Sequence, residues 1–146
     1  MKTRIHVIAG VVGFLTILSF WISTVSVELF ASPAAVAAVK SWILYGMIVL
    51  VPAMAIAGAT GMSLGRKRRD RLTKAKRTRM PVIAANGLLI LVPSAFFLAG
   101  RAEAGLFDGW FYAMQTLELV AGAANIAMMG LNIRDGLRMT RRLLLT

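Results

Sequence analysis

The chain has 146 residues, of which 58% are hydrophobic, and its mean hydropathy is +0.74. A water-soluble domain needs polar residues to cover its core, so this composition excludes one and favours a small membrane protein. The sequence contains no Cys. Disulfides, zinc–thiolate sites, iron–sulfur clusters and haem attached through Cys are therefore excluded.

Four apolar segments follow one another along the chain. The first covers about residues 5–30; it begins like a secretory signal, but its uncharged run is too long for one, so we expect an uncleaved first helix. The others cover about residues 35–65, 81–100 and 106–132. A helix crosses the bilayer with roughly 20 apolar residues, and lipid offers the backbone no hydrogen bonds. The sequence predicts an all-α, polytopic membrane protein, with residues 1–146 forming one four-transmembrane-helix bundle.

The distribution of Lys and Arg predicts the orientation of the bundle. Of the 17 cations, only Lys40 and Arg101 lie on one side of the predicted spans; the others lie at the two ends of the chain or in a basic loop predicted at residues 66–80. Because cytoplasmic loops carry the excess of Lys and Arg, we expect both termini and this loop in the cytoplasm, an N-in/C-in topology.

The basic loop is a candidate binding surface. It has no aromatic residues between its cations, so we do not expect it to bind nucleic acid. A basic segment beside a membrane attracts anionic lipid headgroups. The cations that we assign to headgroup binding are Arg66, Lys67, Arg68, Arg69, Arg71, Lys74, Lys76, Arg77 and Arg79.

The second helix carries small residues at a spacing of four: Ala53, Ala57, Gly61 and Gly65. We call this set the small-residue ladder. Small side chains let the backbones of two membrane helices approach closely, so the ladder predicts a helix-packing surface. The spacing leaves open whether the partner helix belongs to the same chain or to a second copy.

The fourth helix carries its polar residues on one side. Gln115, Glu118 and Asn125 fall within one arc of the helix, and most of its leucines and isoleucines lie elsewhere. Unpaired polar groups are costly in hydrocarbon, so this arc should face the bundle interior or a subunit interface. Asn86 and Thr60 fall at the depth of Asn125. We expect these five residues to form a buried polar core that joins the helices by hydrogen bonds.

Two pairings remain open for Lys40. In the simpler one it meets Glu28 at the membrane boundary, with the ammonium group reaching towards water. In the alternative, Lys40 reaches inward to Glu118.

His6 is the only histidine, which excludes a bis-histidine haem site within one chain. A His/Met pair is another known way to hold haem iron. Several methionines fall at the depth of His6, and the candidate ligands of a haem b are His6, Met62, Met80, Met128 and Met129. The competing interpretation takes the methionines as adaptable apolar filler and His6 as an ordinary interfacial residue.

The sequence has no HExxH, GxSxG, Walker A or Rossmann glycine motif, so we do not expect an enzyme. The leading hypothesis is a non-enzymatic membrane helix bundle that self-associates as a homo-oligomer or serves as a subunit of a larger membrane complex. One alternative is a b-type haem protein for electron transfer. Another is a small channel or a proton-coupled transporter in which Glu118 titrates.

Three short blocks carry a resemblance. They are Ala84-Ala85-Asn86-Gly87, the start of the fourth helix at Phe107-Asp108, and the run Gly130-Leu131-Asn132-Ile133-Arg134-Asp135-Gly136. In these blocks the chain resembles a group of small four-helix inner-membrane proteins from proteobacteria. The resemblance implies a multi-pass protein of the bacterial inner (cytoplasmic) membrane, and it assigns no functional residue.

Overall fold

The computed structural model describes residues 1–66 and 70–144, with side chains as far as Met139. This part of the chain is all-α and holds four spans that are long and apolar enough to cross a membrane. The prediction of a four-helix membrane fold is confirmed. The helices are α1 (Lys2–Phe30), α2 (Pro33–Gly65), α3 (Arg71–Asn86), α4 (Val92–Glu103) and α5 (Gly109–Leu144). The third span, Arg71–Glu103, consists of α3, a π-helical turn at Gly87–Leu91 and α4.

The spans pack in a ring that follows chain order. Helix α1 packs against α2 and α5, and the third span packs against α2 and α5. Within the described residues, the backbones of α2 and α5 do not meet, so these two helices lie diagonally across the bundle. A side chain that joins α2 to α5 therefore has to cross the bundle interior.

Helix α3 begins ten residues earlier than the sequence predicted, so residues 71–80 are helical and not part of a loop. Asp70 caps this helix, because its Oδ2 accepts a hydrogen bond from the Thr73 N–H at 3.0 Å. Lys and Arg are also good helix formers in water. Pro81 consequently lies inside α3 and not at its first turn. Lys67, Arg68 and Arg69 lie outside the described residues.

The fourth span starts later and ends later than predicted. Gly105 has a φ of +69°, a backbone conformation that glycine adopts at low cost, and the chain turns there. Asp108 then accepts a hydrogen bond at Oδ1 from the Phe111 N–H at 3.0 Å, which satisfies a donor in the first turn of α5. At its other end α5 continues past Asn132 to Leu144.

The third span is irregular in its middle. In the π-helical turn the Val92 N–H bonds to the Gly87 carbonyl, one residue further back than in an α-helix. Pro93 follows directly and has no N–H to donate to the Leu89 carbonyl. Helices α3 and α4 both contact α2, but the π-helical turn between them does not. A gap therefore separates the second and third spans near the middle of the bundle.

The small-residue ladder is covered within the chain. Ala53 and Ala57 are buried. A methyl group added at Gly61 would meet His6 and Met80, and one added at Gly65 would meet Thr73. The ladder thus lets α1 and α3 approach α2, and it is not an exposed surface for a second copy.

Candidate functional site

Lys40 is buried and forms an ion pair across the bundle. Its side chain is 1% exposed, and Nζ donates a hydrogen bond of 2.5 Å to Glu118 Oε2. The same oxygen accepts a hydrogen bond of 3.2 Å from Gln115 Nε2. Among the described residues Lys40 pairs with Glu118 and not with Glu28, so the simpler of the two pairings was wrong. The long lysine stem spans the bundle interior, where a low dielectric strengthens the attraction between opposite charges.

Two acceptor oxygens beside this pair have no hydrogen-bond partner in the described part of the chain. Gln115 is 4% exposed, and its Oε1 is unsatisfied. The Oε1 atom of Glu28, on α1, is also buried and unsatisfied. The Glu28 carboxyl interacts electrostatically with both Lys40 and Glu118. We call Glu28, Lys40, Gln115 and Glu118 the lysine cluster.

A second polar layer joins the third span to α5. Asn86 Nδ2 donates hydrogen bonds of 2.8 Å to Asn125 Oδ1 and to the Ala121 carbonyl. Asn125 is buried, and its Nδ2 donates to the Ile83 carbonyl at 3.3 Å. These bonds attach α5 to the last turn of α3, directly before the π-helical turn. We call Asn86 and Asn125 the amide layer.

Thr60, which we expected in one buried polar core with Asn86 and Asn125, contacts His6 instead. The His6 Nδ1 atom lies 3.0 Å from the Ala57 carbonyl oxygen and 3.1 Å from Thr60 Oγ1. A protonated Nδ1 can donate to the Ala57 carbonyl. These contacts attach the start of α1 to α2.

The candidate haem ligands do not surround one space. Met62 is exposed, whereas Met128 and Met129 pack with Ile17 and Ile83 in an apolar cluster. Met80 and His6 both pack against Gly61. A Cβ placed on Gly61 would lie 3.0 Å from His6 Cε1 and 3.1 Å from Met80 Sδ. The side chains of His6 and Met80 therefore pack directly over Gly61.

A third polar group lies at the end of the bundle that carries the chain termini. Asp135 is buried, and its Oδ2 accepts a hydrogen bond of 2.7 Å from Arg79 Nη1. Arg79 also donates to Asn132 Oδ1 at 3.3 Å, and Arg134 donates to Asp135 Oδ1 at 3.4 Å. Sequence reasoning assigned Arg79 to lipid headgroups and gave Asp135 no role. The available signal was that Asn132 and Asp135 lie three residues apart on one helix.

A cavity of about 170 Å³ lies between the spans. Its walls are mainly apolar and come from all four spans; Glu118 is the one charged residue among them, and Asn125 also contributes. Three of the lining residues, Val51, Ala84 and Leu88, are exposed on the outside of the bundle. They lie on α2 and the third span, beside the gap at the π-helical turn. The cavity therefore opens sideways, towards the lipid.

The described residues contain no group of three or more His, Asp or Glu side chains that could hold a metal ion. Comparisons of the chain with protein-family models, with curated proteins and with solved structures found no match.

Proposed function

We propose that this chain is a non-enzymatic protein of the bacterial inner membrane that binds the apolar part of a membrane-dissolved molecule in its central cavity. The observation that carries this proposal is the sideways opening between α2 and the third span. An apolar cavity of roughly 150 Å³ is large enough to bind benzene. The cavity here, at about 170 Å³, has room for a ring-sized group.

The composition of the walls supports entry from the bilayer. An apolar molecule dissolves in lipid and reaches the exposed mouth residues Val51, Ala84 and Leu88 without passing through water. Inside, it exchanges contacts with lipid chains for contacts with a preformed apolar site. Binding sites of this kind are mostly apolar, with a few placed polar groups that fix orientation. Glu118 and Asn125 are such groups in this cavity.

The paired polar residues support a stable bundle around the cavity. The Lys40–Glu118 pair, the amide layer and the Arg79–Asp135 pair each join two spans. Interhelical bonds of this kind hold membrane helices together. The small-residue ladder is covered within the chain, so the proposal does not require a second copy. The exposed cations Arg66, Arg71 and Lys74 support additional contact with anionic lipid headgroups.

Trp21 lines the cavity, so its fluorescence can be used to measure binding there. The sequence has three tryptophans, and the other two, Trp42 and Trp110, are exposed. In the Trp42→Phe/Trp110→Phe variant, reconstituted in lipid nanodiscs, Trp21 is the only tryptophan. Bromobenzene quenches tryptophan fluorescence on contact. We expect its titration to quench Trp21 with a saturable component, which reports binding at one site.

Two neighbouring residues give a matched control. Ala84 lines the mouth and Ala85 does not, and both are exposed. In the single-tryptophan background, Ala84→Phe should narrow the mouth and weaken saturable quenching by about tenfold or more, a change of about 1.4 kcal/mol in binding free energy. Ala85→Phe should leave it unchanged. Quenching that never saturates and is equal in both variants would contradict the proposal, because it would report only partition into lipid.

The position of Glu118 favours a second candidate function, a proton-coupled transporter. Glu118 both lines the cavity and binds Lys40, so a ligand that displaces Lys40 would leave the Glu118 carboxylate without its cation at the cavity wall. Ligand-dependent proton flux into liposomes tests this candidate. Flux that is lost in the double variant Lys40→Met/Glu118→Met would support it, and the absence of flux in the unmodified protein would contradict it.

A further inference from the structure

The side chain of Thr24 lies on the cavity wall, and its hydroxyl group has no partner. Thr24 is 2% exposed and lines the cavity, and among the described residues nothing forms a hydrogen bond with its hydroxyl. Helical threonines commonly bond back to their own helix, as Thr16 does to the Val12 carbonyl at 2.8 Å. A buried hydroxyl without a hydrogen bond is costly, so Thr24 is suited to meet a polar atom of a molecule in the cavity.

Glu118 presents a second polar atom to the cavity. Lys40 and Gln115 both bond to its Oε2 atom, so within the described part of the chain its Oε1 atom has no donor. Unlike Gln115 Oε1, which is also unsatisfied, this oxygen is not enclosed by protein atoms, and Glu118 lines the cavity. A carboxylate that is paired with a lysine accepts hydrogen bonds and donates none. Glu118 Oε1 is therefore an open acceptor for a ligand that brings a donor.

Thr24 and Glu118 lie at the same level on adjacent helices. Trp21, one turn before Thr24 on α1, donates a hydrogen bond from Nε1 to the Leu119 carbonyl at 3.0 Å. Glu28, one turn after Thr24, interacts electrostatically with Glu118. Residues three and four apart share a face of a helix, so Thr24 faces α5 between these two contacts, beside Glu118. The cavity thus has one polar corner, with a hydroxyl on one side and a carboxylate oxygen on the other.

The rest of the wall is suited to an aromatic ring. Aromatic side chains stack edge to face with other rings, and thioether sulfurs also make favourable contacts with rings. The side chains of these two kinds that line the cavity are Phe20, Trp21, Met47, Met54 and Met129. An aromatic ligand therefore gains contacts here that it does not make with lipid chains.

Resting on the proposed function, we propose that the ligand of this cavity is a lipophilic phenol, with its ring against the apolar wall and its hydroxyl group between Thr24 and Glu118. A phenolic hydroxyl has one O–H donor and also accepts. Its O–H donates to Glu118 Oε1, and its oxygen accepts from the Thr24 hydroxyl. A ketone or an ether has acceptors only, and it would leave the carboxylate oxygen without a hydrogen bond.

A matched pair of probes tests the phenol directly. The probes are 4-bromophenol and 4-bromotoluene, in which a hydroxyl group replaces a methyl group of similar size. Each is titrated into the single-tryptophan protein in nanodiscs at neutral pH, where the phenol keeps its proton. Affinities refer to the concentration of each probe in the bilayer, measured with protein-free nanodiscs. We expect the phenol to quench Trp21 with an affinity about tenfold higher than that of 4-bromotoluene, the effect of one hydrogen bond to a charged group.

Two threonines on α1 give a matched control. Thr24→Val keeps the shape of the side chain and removes its hydroxyl, so it should reduce the preference for the phenol several-fold and leave the affinity for 4-bromotoluene unchanged. Thr16→Val should leave both affinities unchanged, because Thr16 does not line the cavity. The double variant Lys40→Met/Glu118→Met, which removes the ion pair of the lysine cluster and strands no charge, should also reduce the preference and keep binding of 4-bromotoluene.

The outcomes distinguish this inference from the proposed function. Saturable binding of both probes with equal affinity would overturn the phenol ligand and leave the apolar site standing. An unchanged preference in the double variant, or an equal loss of preference in Thr24→Val and Thr16→Val, would also overturn it, since the polar corner would then play no part. If neither probe nor bromobenzene binds saturably, the proposed function itself is wrong.

Discussion

The ion pair of Lys40 and Glu118 should contribute strongly to the stability of the bundle in hydrocarbon. Each charge would be costly to bury alone, and together they compensate each other at 2.5 Å. The pair also connects α2 to α5, two helices whose backbones do not touch in the described part of the chain. Loss of the pair should therefore lower the free energy of unfolding and change how α2 and α5 are positioned in the bundle.

The single variants Lys40→Met and Glu118→Met should each destabilise the protein by about 3–5 kcal/mol, because each leaves one charge buried without its partner. The double variant should recover most of that loss, since no charge then remains unpaired. Unfolding by SDS titration in mixed micelles measures all three. Losses that simply add in the double variant would show that the two residues act independently.

The amide layer makes a separate prediction. Asn86→Leu and Asn125→Leu each remove the bond between the two side chains, and each also removes a bond to a backbone carbonyl. A double-mutant cycle isolates the shared bond, which should contribute roughly 0.6 kcal/mol. The same SDS titration provides the four free energies of unfolding. A coupling energy indistinguishable from zero would contradict the contact between the two amides.

At the scale of the helices, close packing of α2 depends on particular glycines. A methyl group at Gly46 would overlap the ring of Phe20 on α1, whereas nothing in the described part of the chain lies within 4 Å of the corresponding position at Gly58. Both glycines lie in the interior of the same helix. They therefore form a matched pair that separates packing from helix propensity.

Gly46→Ala should destabilise the protein by about 1–3 kcal/mol, the usual cost of overpacking. Gly58→Ala should be neutral or stabilising by roughly 0.4–1 kcal/mol, because alanine restricts the unfolded backbone without a clash. Thermal unfolding in detergent measures both variants. Equal melting temperatures for Gly46→Ala and Gly58→Ala would contradict the close approach of α1 and α2.

The helices show where sequence reasoning is reliable and where it stops. Long apolar runs predicted the four spans, because hydrocarbon permits few alternatives. The early start of α3 was not predicted, because hydropathy indicates where a helix enters lipid and not where it begins in water. The N-terminus of α3 is set by the cap at Asp70. The π-helical turn was also missed, although Pro93 was a local signal for irregular backbone.

In the candidate site, too, some features could be predicted from the sequence and others could not. Gln115 and Asn125 are buried, and the helical period of the polar arc, together with the cost of polar groups in lipid, gives the reason. The sequence made Glu28 the simpler partner of Lys40, because both were expected at the membrane boundary. That Lys40 instead reaches inward to Glu118 depends on how the helices pack, which no local pattern shows. The cavity depends on a gap between two spans, and no local pattern encodes it.

At the scale of the whole molecule, we expect the basic end of the bundle to lie in the cytoplasm. The turns at residues 31–32 and 104–108 lie at one end, and the turn that contains Arg66 lies at the other, with both termini. The sequence has no Cys, so single cysteines can be introduced without removing any native one. Ala31, Ala104 and Arg66 are exposed and provide suitable positions.

Labelling of these cysteines in intact bacteria with a membrane-impermeant maleimide tests the central claim most directly. We predict that Ala31→Cys and Ala104→Cys are labelled in intact cells, and that Arg66→Cys is labelled only after the membrane is permeabilised. Labelling of Arg66→Cys in intact cells, with Ala31→Cys and Ala104→Cys protected, would contradict the account.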